Sequence, residues 1–181
     1  EIGVRLVGSE MCIRDRTTED TGSRNVAIGH GSLRHLNFDG TAYNVAIGYD
    51  AGTNVSTGKE NTLVGGQAGD SLTTGEKNVA LGKSALGSED TGTRNVAIGN
   101  GALQSLNFDG TGYNVAVGYD AGVNVTTGIN NTVIGGLAGD AINNGSQNVA
   151  VGKASLTSAT TASDNVGVGH GALSALTTST R

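Results

Sequence analysis

The stretch NVAIGYDAG (residues 44–52) decides the reading of this chain. In an extended backbone successive side chains alternate, so Val45 and Ile47 fall on one side and Ala46 on the other. Five residues are too few for a stable helix, and a β-branched pair suits a pleated surface. NVAIG therefore reads as a short strand ended by glycine.

The same pattern recurs at Asn25, Asn44, Asn61, Asn78, Asn95, Asn114, Asn131, Asn148 and Asn165, at spacings of 19, 17, 17, 17, 19, 17, 17 and 17 residues. Residues 25–94 align without gaps on 95–164 with 42 identities, so a block of four coils is duplicated and a ninth coil opens a third copy. A fixed period of this size signals a repeat architecture. Thr-Thr-Gly, Asp-Gly and Ala-Gly segments between the strands supply turn chemistry, glycine is abundant at 31 residues, and proline is absent. The expectation is an all-β chain: a parallel β-solenoid of about nine coils of 17–19 residues, each strand pairing with that of the next coil. At ~4.8 Å per coil the rod is on the order of 40 Å long. Stacked asparagines can hydrogen-bond along its axis, a structural role.

In this reading Val26 and Ile28, Val45 and Ile47, and Val96 and Ile98 face a core completed by Leu33, Leu36, Leu72, Leu86, Leu103 and Leu106. The third strand position is then the informative one. It is Ala27, Ala46, Leu63, Ala80, Ala97, Ala116, Val133, Ala150 and Gly167, never polar although expected to point away from that core. An exposed sheet face is normally polar, so the stripe implies a second buried surface. It is either the interface of an obligate homo-oligomer or the inside of a flattened single-chain coil.

The repeat fills residues 17–181. TEDTGSR (residues 18–24) matches SEDTGTR (88–94), and TSTR (178–181) sits where TGTR (91–94) precedes Asn95, so this region reads as a fragment truncated at both ends. Residues 1–16 do not follow the repeat. Within them LVGSEMCIRDR (6–16) closely resembles the in-frame translation of a transposase mosaic-end sequencing adapter, and 1–16 are set aside as an adapter-derived, non-native segment. Met11 and Cys12 belong to it, so the repeat has no cysteine for disulfides, thiolate metal sites or nucleophilic catalysis. The net charge of −5 is unchanged by its removal, since it holds three basic and three acidic residues. A dilute acidic chain lacks the clustered cations that nucleic acid requires, and no apolar run approaches the ~20 residues of a membrane span.

The coils NVAIGYDAG, NVALGKSAL (78–86) and NVAVGKASL (148–156) resemble the head repeats of trimeric autotransporter adhesins and the related repeats of bacteriophage tail-fibre proteins. The resemblance extends over 17–181. It implies a left-handed parallel β-roll, a homotrimer about one axis, and a fibrous, non-catalytic segment on a virion or bacterial cell surface that attaches to a host glycan or protein receptor. Adhesin heads use shorter coils, and the regular Thr-Thr-Gly spacers fit the phage-type repeats better.

Enzymatic motifs are absent or incomplete. LGKS (81–84) lacks the first glycine of a phosphate-binding loop, where Lys77 stands. His30, His35 and His170 have no partner at metal-binding spacing, and Ser32 is not in a nucleophile elbow. No cofactor or metal is expected. Asp39, Asp50, Asp70, Asp109, Asp120 and Asp140 occupy different loop positions in different coils, which favours turn-capping over a calcium row. The departures from the repeat carry the functional expectation. Only the first and fifth coils gain two residues, in LNFDGTAY (36–43) and LNFDGTGY (106–113), and solenoid insertions commonly form loops on a binding face. All six aromatics lie there or at the adjoining strand end, making Phe38, Asp39, Tyr43, Tyr49, Phe108, Asp109, Tyr113 and Tyr119 candidate receptor contacts. Covering the bulged coil or packing on a neighbouring chain is the competing role for these aromatics. A soluble solenoid that binds ice or glycan is the alternative function, although Ser56, Glu89-Asp90 and Asn143-Asn144 interrupt the threonine row that ice would need.

Overall fold

The computed structural model describes Met11–Ile13 and residues 24–177. Ten three-residue strands follow in order: β1 (Met11–Ile13), β2 (Val26–Ile28), β3 (Val45–Ile47), β4 (Thr62–Val64), β5 (Val79–Leu81), β6 (Val96–Ile98), β7 (Val115–Val117), β8 (Thr132–Ile134), β9 (Val149–Val151) and β10 (Val166–Val168). Each pairs in parallel with its sequence neighbours in one ten-stranded sheet. The chain is a parallel β-solenoid, one turn per repeat. The register between β2 and β10 is that of the repeat, with Val79 opposite Val96 and Ala80 opposite Ala97. In β1, Met11 stands opposite Val26, fifteen residues on and so off the 17- and 19-residue spacing. The remainder of segment 1–16 lies outside the described residues.

The asparagine before each strand holds successive coils together. The Oδ1 of Asn44 accepts the backbone N–H of Asn61 at 3.0 Å, and that of Asn61 accepts the N–H of Asn78 at 3.0 Å. The same bond continues through Asn95, Asn114, Asn131 and Asn148 to Asn165. In each 17-residue coil the amide Nδ2 also donates across its own turn, fourteen residues on, as Asn44 does to the Gly58 carbonyl and Asn61 to that of Gly75, both at 2.8 Å. These amides are buried and saturated, as buried polar groups must be. The expected amide ladder is present, and it closes coils as well as stacking them.

The two faces of the strand are the reverse of the expected ones. Ala27, Ala46, Leu63, Ala80, Ala97, Ala116, Val133 and Ala150 are 0–2% exposed within the single chain and form its core with the leucines of the return run. They are the inside of the coil and are not available as an oligomer interface. Val26, Ile28, Val45 and Ile47 are only half-buried, on the outer face, with Val96, while Ile98 is exposed. The reason is width. Leu33, Leu36, Leu86, Leu103 and Leu106 reach across from the opposite wall at zero exposure, leaving room for little more than a methyl group beneath the strand. Where the strand position is larger, the opposite wall gives way: a Cβ on Gly69 would lie 2.7 Å from Leu63 Cδ2, and one on Gly139 would lie 3.1 Å from Val133 Cγ1. The preceding coils carry glycine at the same place, Gly52 and Gly122, beside Ala46 and Ala116, and a Cβ on Gly52 would lie 2.6 Å from Leu63 Cδ1, so the larger strand side chain takes up room left by glycines in two coils.

The strand-ending glycine meets a second constraint. Gly65 has φ +135°, and a Cβ there would stand 2.5 Å from the Gly82 carbonyl oxygen of the next coil. No side chain fits at that position.

Truncating one rung of the ladder tests this account. Asn78→Ala strands the Asn95 N–H and the Gly92 carbonyl, each of which is bonded to Asn78. At about 1–3 kcal/mol per unsatisfied buried group, a loss of ~2–5 kcal/mol is expected by denaturant unfolding. Asn165→Ala, at a half-buried site, should cost clearly less.

Candidate functional site

The outer face of the sheet carries two columns of side chains. One is Val26, Val45, Thr62, Val79, Val96, Val115, Thr132, Val149 and Val166; the other is Ile28, Ile47, Val64, Leu81, Ile98, Val117, Ile134, Val151 and Val168. Apart from Thr62 and Thr132 the surface is apolar, and it is mostly β-branched, suited to the pleat and only partly covered by its own neighbours. Ile98 and Ile134 are over a third exposed, and Val166 and Val168 about two thirds. Such continuity along a whole sheet exceeds what scattered exposed apolar residues amount to.

The aromatics separate into two sets. Tyr43 and Tyr49 lie two residues outside Val45 and Ile47, Tyr113 and Tyr119 likewise flank Val115 and Val117, and all four tyrosines are more than half exposed. Tyr43 and Tyr113 close their coils in the left-handed region, at φ +55° and +49°, as do Arg24, Glu60, Lys77 and Arg94 in the same column. The Arg24 guanidinium stacks 5.5 Å from the Tyr43 ring centre and donates to its hydroxyl at 2.7 Å, and Arg94 stands 5.7 Å over Tyr113. His30 lies parallel to Tyr49 at 5.4 Å, with its Nδ1 3.7 Å from Asp50. Tyr119 is hydrogen-bonded to the Asp120 carboxylate, which raises its phenol above the usual range.

Phe38 and Phe108 do not join them. Both are half-buried against the core, and Lys59 sits 5.6 Å over Phe38. The phenylalanines cover the bulged coil, the competing role given to the aromatics above. Asp39 and Asp109 are exposed, and Asp109 accepts the Thr91 hydroxyl at 2.7 Å. Of the eight candidate contacts, four tyrosines and two aspartates remain at the surface.

The remaining polar candidates are dispersed. His35, His170 and Lys83 are exposed. Among the described residues no three His, Cys, Asp or Glu side chains come together in a way that could hold a metal ion. Asp50 faces Asp70 closely enough to raise its carboxyl, and Asp120 does the same to Asp140, in both cases adding to a larger effect of burial. Asp140 Oδ1 is buried and has no hydrogen-bond partner.

One residue was passed over in the sequence. Glu89 is 0% exposed, at the coil position that is Leu36, Val55, Leu72, Leu106, Val125, Ile142 or Ala159 elsewhere. Its carboxylate accepts backbone N–H groups from Gly92 at 2.8 Å, Asp90 at 3.2 Å and Phe108 at 3.3 Å. Burial nevertheless raises its carboxyl. The available signal was an acid at an otherwise apolar repeat position, obscured because Glu89 stands beside Asp90, the residue that breaks the threonine row in this coil.

Comparison of the chain with protein-family models, with curated proteins and with solved structures found no match. Among the described residues no helix is long and apolar enough to cross a membrane.

The resolved carboxyl shifts set a pH dependence. Glu89, Asp70 and Asp140 are all raised in the fold, chiefly by burial, so the folded chain binds protons more readily than the unfolded one. Their contribution to stability is complete below the ordinary carboxylate range and fades as pH rises through the raised values. Calorimetric melting temperature is expected to increase as pH falls from neutral to about 4.5. The double variant Asp70→Asn, Asp140→Asn should show a shallower rise.

Proposed function

We propose that this chain is a non-catalytic, rod-forming segment of a fibrous attachment protein, of the phage tail-fibre or bacterial surface-adhesin kind, in which three copies pack side by side through their valine–isoleucine sheet faces. One observation carries the reading: an outer column of isoleucine, valine and leucine runs from Ile28 in β2 to Val168 in β10 without a polar residue, beside a valine column broken only by Thr62 and Thr132. Nine strands at ~4.8 Å make that face nearly 40 Å long, a dimension suited to lateral packing between parallel rods. Burying it against copies of itself removes from water the surface that a single coil leaves half-covered. The tyrosines would stand at the margin of such an interface, where rings with an apolar body and a polar tip are favoured. A left-handed β-roll, a homotrimer and a virion or cell-surface location follow from the repeat resemblance and belong to this proposal.

Attachment in this reading is to a surface glycan or protein. Tyr49 with Asp50, and Tyr119 with Asp120, repeat four coils apart, roughly 19 Å along the rod, and pair an exposed ring with a carboxylate. Sugars are bound by that combination of stacking and hydrogen bonding. The same pairs favour the second reading, a soluble glycan-binding solenoid that works as a single chain. Ice binding has less support, because the Thr73 and Thr126 hydroxyls are engaged with Asp90 and Asn143.

Mass in solution decides between the two. A trimer by light scattering is expected, and Val79→Lys with Val96→Lys should convert it to folded monomers, because both side chains lie on the outer face. Ala80→Lys, by contrast, should abolish folding, because Ala80 is fully buried. A wild-type chain that is a well-folded monomer at high concentration would overturn the fibre reading. Host-surface or glycan binding should fall at least tenfold in Tyr49→Ala, Tyr119→Ala with folding unchanged, as expected for two exposed stacking rings.

A further inference from the structure

We infer that Glu89 is the residue that admits the expanded coil: a carboxylate at this position supplies the acceptors that the main chain loses where a 17-residue coil is followed by a 19-residue one. In six other steps the residue following this position bonds directly to its counterpart one coil on. Asn37 donates to the Ser56 carbonyl, Ser56 to that of Thr73, Thr73 to that of Asp90, Asn107 to that of Thr126, Thr126 to that of Asn143 and Asn143 to that of Thr160. Among the described residues the row is interrupted at its last step, where the Thr160 N–H turns to the Ser158 carbonyl of its own coil, and at one internal step, from Asp90 to Asn107, the step into the long coil. There the Asp90 N–H turns to Glu89 Oε1, and Oε2 reaches into the next coil to take the Phe108 N–H. One side chain thus serves both sides of the gap, and it holds the Gly92 N–H as well.

The insertion is tied down beyond this point. Thr93 donates to the Gly110 carbonyl and accepts from Gly112 at its own, and Thr93 and Thr111 form an isolated parallel bridge. Leaving the long coil requires no such device, because Asn107 bonds normally to Thr126. The sequence repeats the association. Glu19 holds the equivalent place in TEDTG (residues 18–22), one repeat before the other 19-residue coil, whereas the coils followed by 17-residue coils have Leu36, Val55, Leu72, Leu106, Val125 and Ile142 there. A charged group at a core position is disfavoured unless it is hydrogen-bonded, and the inserted loop provides the donors.

The test is a cycle of variants read by amide hydrogen exchange. Glu89→Leu and Glu89→Gln are made in the native chain and in one whose residues 107–113 are replaced by TTGEK, the sequence of residues 73–77, which shortens the fifth coil to 17 residues. In the native chain Glu89→Leu is expected to speed exchange at Phe108 and its neighbours by roughly 10- to 100-fold, the effect of losing hydrogen bonds to a charged acceptor, with β8 and β9 unchanged. Glu89→Gln, with one acceptor oxygen left, should fall between. In the shortened chain Glu89→Leu should leave protection unchanged or increase it. Folding of Glu89→Leu only when the coil is shortened supports the same conclusion. Equal effects in both backgrounds, failure to fold in both, or unaltered Phe108 exchange in the native chain would each overturn it. None of these readouts depends on oligomeric state.

Discussion

A buried carboxamide at the start of each coil is the group on which the rest of this structure depends. It accepts the main-chain N–H of the coil above, and in the 17-residue coils it also ties the turn of its own coil shut. Both bonds are needed because a solenoid coil has no second strand of its own to pair with; its polar groups must be met along the axis or across the turn. Once the asparagine is fixed, the three residues after it are extended and in register with their neighbours. The glycine after those follows from the close approach of consecutive coils. Coils of two lengths can share one ladder because the additional residues are taken up in the loop, away from the strand.

The architecture could be read from the sequence almost completely, and the orientation of the strand could not. Nine asparagines at regular spacing specify coil count, strand position and parallel pairing without reference to any distant residue. Alternation divides Val45 and Ile47 from Ala46 but does not say which side is inside. The rule that larger apolar residues go inward fails because the space to be filled is narrow and leucines from the opposite wall already occupy it. The compensating substitutions were present in the sequence, Leu63 and Val133 accompanying Gly69 and Gly139, and they acquire meaning only when the two walls are known to face each other. The alternative that placed the alanine stripe inside a flattened coil describes the structure.

The candidate site was legible in part. Sequence proximity grouped six aromatics, but a chain that turns every few residues sends neighbours to different sides: Phe38 turns inward over its loop while Tyr43, five residues later, is exposed. The apolar outer face was hidden by the same inversion that hid the core. Glu89 was obscured for a different reason. A single acidic residue in a polar-looking turn segment gives no sign of burial unless it is compared position by position with the other coils.

Contacts in this molecule reach only the adjoining coils, and that has a consequence for how such a chain can change over time. A block of whole coils can be copied in tandem without disturbing any interior already built, because the new coils meet surfaces identical to the old ones. The duplicated block of residues 25–94 and 95–164 is an instance. Each further copy would extend the rod by roughly 19 Å and repeat its exposed tyrosines at the same interval. Reach and valency would then be inherited together, in steps set by recombination rather than by point mutation.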